Sequence, residues 1–353
     1  INRSYAVINP YHLYCHNVLP LKNRFCKYPV NHSTIPDKNL LPELTFEIAD
    51  VTLLLLIRFR FLICSYCTVS ENFSAVLKKK GFIRFMCTNQ SPTTKAILVV
   101  SFGTSYHDTR EKTIDCIEQD IAQTFPHHHI YRAWTSKMIL KKLKQRDGIH
   151  IDNVREAMER MQRDGITDVT VQPTHVINGI ENDLMKEDVL AFSDSFSRIT
   201  FGVPLLTSEQ DSREVVKVLT DAFGGIPKDE ALVFMGHGTP HYANAIYAAL
   251  DYTFKDLGYH NLFMGTVEAY PSMDSLLRLV GSLKPSRVHL APFMIVAGDH
   301  ANNDMAGDED GSWKKEFEKA GYDVTCLVRG LGELEPIQQL FTEHAQAAID
   351  SLK

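Results

Sequence analysis

Eight short apolar runs of strand-like character recur between residues 96 and 330, separated by longer stretches with helical spacing. That alternation narrows the architecture more than any other feature of the chain. Strands linked by helical crossovers pair in parallel, and helices then cover both faces of the sheet. The runs are AILVVSF (96–102), HIYRAW (129–134), DVTVQPTH (168–175), RITFGVPLL (198–206), ALVFMG (231–236), NLFMGTVEA (261–269), RVHLAPFMI (287–295) and DVTCLVRG (323–330). Amphipathic helices are expected over 109–124, over 153–164 with Val154, Ala157, Met158 and Met161 at helical spacing, and over 335–352 with a Pro in the first turn.

The runs also repeat. VVSFGTS (99–105) aligns with FMGHGTP (234–240), so that Phe102 falls on His237. DVTVQPTHVINGIE (168–181) aligns with RVHLAPFMIVAGDH (287–300), placing Pro173 on Pro292, Gly179 on Gly298 and Glu181 on His300. The offsets, 135 and 119 residues, are similar. The expectation is an α/β fold of two similar domains, 94–225 and 226–353, each with a parallel sheet flanked by helices and with a cleft between them.

Residues 1–85 do not share this pattern. They hold no Met, one Gly (Gly81), and eleven Lys and Arg against five Asp and Glu, whereas the remainder carries a net charge of −12. The apolar run 51–64 is too short for a membrane span, which needs about 20 residues, and it contains Arg58 and Arg60. Acids rather than bases precede it, unlike a signal peptide. Composition favours a non-native or disordered extension ahead of a start at Met86 over a leader or membrane-associated segment. That reading implies a cytoplasmic protein. Cys64-x-x-Cys67 has no second pair at finger spacing. Over the whole chain, a net charge of −6 and a pI near 6.2 leave no general basic surface for nucleic acid.

Three residues of ligand type stand at successive strand ends in the second half. His237 follows 231–236, Glu268 ends 261–269, and His300 lies in the loop after 287–295, at spacings of 31 and 32 residues. One strand plus one crossover helix takes roughly 30 residues. The three side chains are therefore expected to gather beyond the carboxyl ends of adjacent parallel strands, where open α/β sheets bind ligands. Two imidazoles and a carboxylate suit Co²⁺, Ni²⁺, Fe²⁺ or Zn²⁺ better than Mg²⁺ or Ca²⁺, and three ligands leave coordination positions open. Gly236, Gly238 and Gly298 flank the histidines and permit close approach of a flat ligand. At the matching strand end of the first half, His175 and Glu181 are expected to face the same cleft.

Other features read as structure. His127, His128 and His129 follow Pro126 in a solvated turn; His289 alternates inside a strand; Asp304, Asp308, Glu309 and Asp310 form a solvated acidic loop, with a role in metal capture as the alternative. The chain lacks G-x-x-x-x-G-K-[ST] and any G-x-G-x-x-G after a strand, so neither nucleotide fingerprint is present.

The motifs LVVSFGTSYHDT (98–109), KLKQRDGI (142–149), FGVPLL (201–206), VFMGHGTPHYA (233–243), VEAYP (267–271) and VAGDHANNDMAGDEDGSW (296–313) carry a resemblance. The stretch from about 95 to 350 closely resembles the anaerobic-type sirohydrochlorin cobaltochelatases, the CbiK family of ATP-independent class II chelatases. The resemblance implies two α/β domains around a cleft and insertion of Co²⁺, the substrate metal, into the tetrapyrrole sirohydrochlorin without a nucleotide. It implies His237, Glu268 and His300 as metal ligands, His237 also as proton acceptor, and Glu181 as a catalytic group pointing into the cleft. His175, Phe102 and Gly238 are the expected substrate-binding residues, and Arg110, Lys137 and Arg146 are candidate partners for the substrate carboxylates. A ferrochelatase for sirohaem and a non-catalytic metal or tetrapyrrole carrier stay open beside it. No nucleic acid or membrane partner is expected, and a homo-oligomer is compatible with the sequence.

Overall fold

A computed structural model of the chain describes residues 93–351. The expectations for 1–85, for a start at Met86 and for Cys64-x-x-Cys67 lie outside the described residues. The eight apolar runs form eight strands: β1 Lys95–Ser101, β2 His129–Trp134, β3 Asp168–Pro173, β4 Arg198–Phe201, β5 Ala231–Gly236, β6 Leu262–Thr266, β7 Arg287–Pro292 and β8 Asp323–Cys326. They build two four-stranded sheets in the orders β2-β1-β3-β4 and β6-β5-β7-β8, with all pairings parallel.

The two sheets repeat one design down to register. Val100 pairs with Pro173 and Met235 with Pro292. These are the pairs that the two sequence offsets superpose. Each Pro ends its strand, where the missing N–H costs least. The edge strands β4 and β8 stop several residues short of the apolar runs that predict them. Beyond β4, Leu205 and Leu206 still donate from their backbone N–H groups to His175 O and Val176 O, and their side chains pack in the core.

Side-chain alternation assigns each face. Ile97 and Val99 of β1 share one core with Leu232 and Phe234 of β5, whereas Ala96, Leu98 and Val100 face a second core and Ala231, Val233 and Met235 a third. The shared core therefore runs continuously beneath both sheets. Phe234 sits at its centre, fully buried, with ring centroids 5.7 Å from Phe254 and 6.3 Å from Phe293. Helix Glu335–Asp350 adds Ile337, Phe341 and Ala345 to this core and packs on helix Ile114–Thr124, β3 and β4. The end of the second sequence repeat thus closes over the first sheet.

The expected helix 109–124 is divided into His107–Lys112 and Ile114–Thr124. The break is at Thr113, which is fully buried and turns its hydroxyl back to the Thr109 carbonyl at 2.5 Å. The helix expected at 153–164 spans Val154–Arg163 and starts with a reciprocal capping box between Asn153 and Glu156. Among the described residues, no helix is long and apolar enough to cross a membrane.

Candidate metal centre

In the second sheet β5 lies between β6 and β7. The chain leaves β5 toward one neighbour and later returns to the other, which makes this a topological switch point, where a crevice opens beyond the strand ends. His237 is the first residue past β5. Backbone bonds continue past the strand ends: Val267 N–H donates to Gly236 O at 3.0 Å and Glu268 N–H to His237 O at 2.9 Å. These two bonds hold Glu268 beside His237. On the other side, the loop after β7 is braced by Leu331 N–H to Met294 O and Gly332 N–H to Ile295 O. It leads into a π-helical turn, His300–Met305, anchored by buried Ala301 and Met305. Such turns are rare and recur at functional sites.

The structure brings His237, Glu268 and His300 together, with one ligand atom from each lying within 4.8 Å of the others. The imidazoles of His237 and His300 meet edge to face, their centroids 4.8 Å apart, and Glu268 Oε2 lies 3.8 Å from His237 Nδ1. All three side chains remain partly exposed, from about a third to just over half, as a site that must exchange its ion requires.

Hydrogen bonds identify the free nitrogen on each imidazole. His237 Nδ1 lies 2.8 Å from Gly238 O. A carbonyl only accepts, so Nδ1 carries the proton and Nε2 presents its lone pair. His300 Nδ1 lies 2.7 Å from Asp304 Oδ2, which leaves its Nε2 free by the same reasoning. Gly238, expected to bind substrate, supplies the carbonyl that accepts from the His237 ring. It is buried with φ at +86°, and a Cβ there would come within 2.9 Å of Ala269 N.

The first-half candidates are placed differently from one another. Phe102, the counterpart of His237, is 41% exposed at the end of β1. Glu181 is half-buried in the first turn of helix Ile180–Leu190. That helix start borders the loop after β5: Gly179 would bring a Cβ to 4.0 Å from Thr239 Cγ2, and Asp183 lies 3.4 Å from His241. Glu181 thus sits near the centre but outside the group of three. His175, expected in the cleft, is buried instead. Burial pushes its pKa down to about 4, against a weaker opposing contact from the Asn182 side chain.

Two further contacts tie the halves together beside the centre. Tyr106 donates its hydroxyl proton to Asp299 Oδ1 at 2.7 Å, and Lys142 Nζ lies 3.8 Å from Asp299 Oδ2. A cavity of about 540 Å³ opens there, lined by Ser105, Tyr106, Lys112 and Arg146 from the first half and Ala297 and Asn302 from the second. The three ligand-type side chains are not part of its lining. Of the cations expected to bind carboxylates, Arg110 is engaged by Asp115, and Arg146 by Asp147 and the Ser105 carbonyl.

His127, His128, His129 and His289, read from sequence as structural, lie outside the group of three. His128 packs edge-on against Phe125, with exposed His127 and His129 on either side, and His289 Nε2 meets Glu230 Oε2 at 2.5 Å. A second group, His150, Asp152 and Glu156, is close enough to suggest a metal. Its carboxylates are already employed: Arg160 lies 2.9 Å from Asp152, and Glu156 accepts from Asn153 N–H at the helix cap. Asp304, one of four acids for which metal capture is the alternative to a solvated surface, lies 2.7 Å from His300 Nδ1.

The sequence model of the family Cobalt chelatase (CbiK) matches residues 95–350. Sirohydrochlorin cobaltochelatase of Salmonella typhimurium is 43% identical over 256 residues, covering 72% of this chain and 97% of the relative. Sirohydrochlorin cobaltochelatase CbiKC of Nitratidesulfovibrio vulgaris is 32% identical over 263 residues, covering 74% and 92%. The solved structure of SirB from Bacillus subtilis with Fe³⁺ superposes with a TM-score of 0.52 at 13% identity, over 74% of this chain and 98% of that one; at that identity the likeness concerns the fold alone. By the extent of the family match and the identity to its members, the chain belongs to the cobalt chelatase (CbiK) family.

Proposed function

We propose that this chain inserts Co²⁺ into sirohydrochlorin, giving cobalt-sirohydrochlorin and two protons, on the route to cobalamin and without a nucleotide. The observation that carries the reading is the convergence of His237, Glu268 and His300 at the switch point of the second sheet, in a chain whose relatives are named for this reaction.

The chemistry follows from the groups present. Two pyrrole N–H protons must leave the macrocycle while the ion exchanges its ligands for four ring nitrogens. His237 Nε2, His300 Nε2 and a Glu268 oxygen hold the ion on one side of the ring. Three ligands are enough to concentrate a borderline divalent ion and too few to cage it. As ring nitrogens take over the ion, His237 Nε2 is vacated and becomes a base placed at the reacting centre. Glu181, in the first turn of helix Ile180–Leu190 of the first half, is the candidate acceptor for the second proton.

The test follows the absorption spectrum of sirohydrochlorin with purified protein and Co²⁺, Fe²⁺ or Ni²⁺ in turn. Turnover with Co²⁺ that is lost in a folded His237→Ala variant supports the reading. Preference for Fe²⁺ would move the activity to sirohaem synthesis, and stoichiometric binding without turnover would make the chain a carrier.

A further inference from the structure

The two imidazoles of the centre differ in what holds their far nitrogen. His237 Nδ1 donates to a neutral backbone carbonyl, Gly238 O at 2.8 Å, and His300 Nδ1 donates to a carboxylate, Asp304 Oδ2 at 2.7 Å. The second contact is built into the π-helical turn. Ala301 and Met305 are buried and fix one face of that turn, and His300 and Asp304, four residues apart, share the other. Among the described residues, no Lys or Arg forms an ion pair with Asp304, so its charge is directed at His300 alone. A hydrogen bond to an ionised acceptor is roughly twice as strong as one to a neutral acceptor. A carboxylate behind a ligating imidazole fixes the ring orientation and makes it a stronger donor to the metal.

We infer that Asp304 is a positioning residue that makes His300 the anchoring ligand of the incoming ion and leaves His237 as the ligand that lets go. This rests on the reading of His237, Glu268 and His300 as the metal-holding group. The asymmetry supplies an order of events. The ion stays on His300 while ring nitrogens displace His237, whose freed Nε2 faces the macrocycle as the proton acceptor. Two equally strong imidazoles would provide no such order.

The test titrates Co²⁺ into the full chain without tetrapyrrole, read by the visible d–d absorption of the bound ion. Asp304→Asn keeps an acceptor oxygen and removes the charge, which makes the partner of His300 as neutral as that of His237. The expected loss is about 10- to 100-fold in Co²⁺ affinity. During insertion, KM for Co²⁺ rises by a comparable factor, kcat falls by less because the order of release is lost, and Asp304→Glu recovers part of both losses. His300→Ala loses more Co²⁺ affinity than His237→Ala. This last comparison stands even where Asp304→Asn fails to fold. Wild-type affinity in Asp304→Asn, or equal losses in the two histidine variants, overturns the inference and leaves the metal centre standing. Wild-type protein that binds no Co²⁺, or a His300→Ala variant that binds it unchanged, overturns the metal centre itself and this inference with it.

Discussion

Acidification weakens this fold through His175. The imidazole is buried, and burial, opposed by a weaker contact from the Asn182 side chain, holds its pKa down at about 4 in the native state. In the unfolded chain the reference is about 6.5. The native pKa is depressed, so the neutral form is the one the fold accepts. Its contribution is complete above the unfolded value and is lost as pH falls, because the unfolded chain binds a proton that the native chain refuses. At pH 7.5 both states are neutral there. At pH 5 the linkage relation gives a loss of about 2 kcal/mol, rising to about 3 kcal/mol below pH 4. Against a typical total of about 5–15 kcal/mol this is easily measured. Urea unfolding of the wild type and His175→Gln at both pH values isolates it, since other titrating groups cancel in the difference. The variant should lose about 2 kcal/mol less than the wild type between pH 7.5 and 5. Equal losses would mean that His175 takes up its proton in the native fold, and the argument from burial would fail.

Two other substitutions probe the scaffold of the site. Gly238→Ala forces an L-residue to a φ of +86° against Ala269 N; a cost of about 1–2 kcal/mol is expected by urea unfolding, and the shift of the His237 partner lowers turnover by up to about 100-fold. Arg132 donates from Nε to both oxygens of Glu118 at 2.8 Å, and burial already pushes the Glu118 pKa up. Arg132→Gln leaves that carboxylate unpaired and costs about 3 kcal/mol at pH 7.5. The raised native pKa gives the sign of the pH effect: protonation relieves the unpaired carboxylate, so the cost is smaller at pH 5, and a cost that grew on acidification would contradict this account of Glu118.

Much of the molecule was legible in sequence because its signals are periodic. The apolar runs mark β1 to β8, and the repeat of Gly-Thr and Pro at fixed offsets reports a duplicated sheet whose register the structure matches pair for pair, Val100 with Pro173 and Met235 with Pro292. The gathering of His237, Glu268 and His300 follows from parallel strands and spacing alone. What was not legible depends on which neighbour is met in space. The apolar face of helix Glu335–Asp350 is plain in sequence, but nothing there says that it covers β3 and β4 of the other half. His175 stands at a strand end like the ligands, yet its ring is buried, and only three-dimensional packing decides that. Asp304 reads as one member of an acidic run until the π-helical turn sets it against His300.

The account depends most on the coordination of the ion before it enters the macrocycle. X-ray absorption at the cobalt edge, recorded on the full chain with one equivalent of Co²⁺ and no tetrapyrrole, reads that shell directly. Two imidazole scatterers with oxygen neighbours are predicted, falling to one imidazole in His300→Ala and in His237→Ala. A shell of oxygen alone, or two imidazoles persisting in either variant, would contradict it.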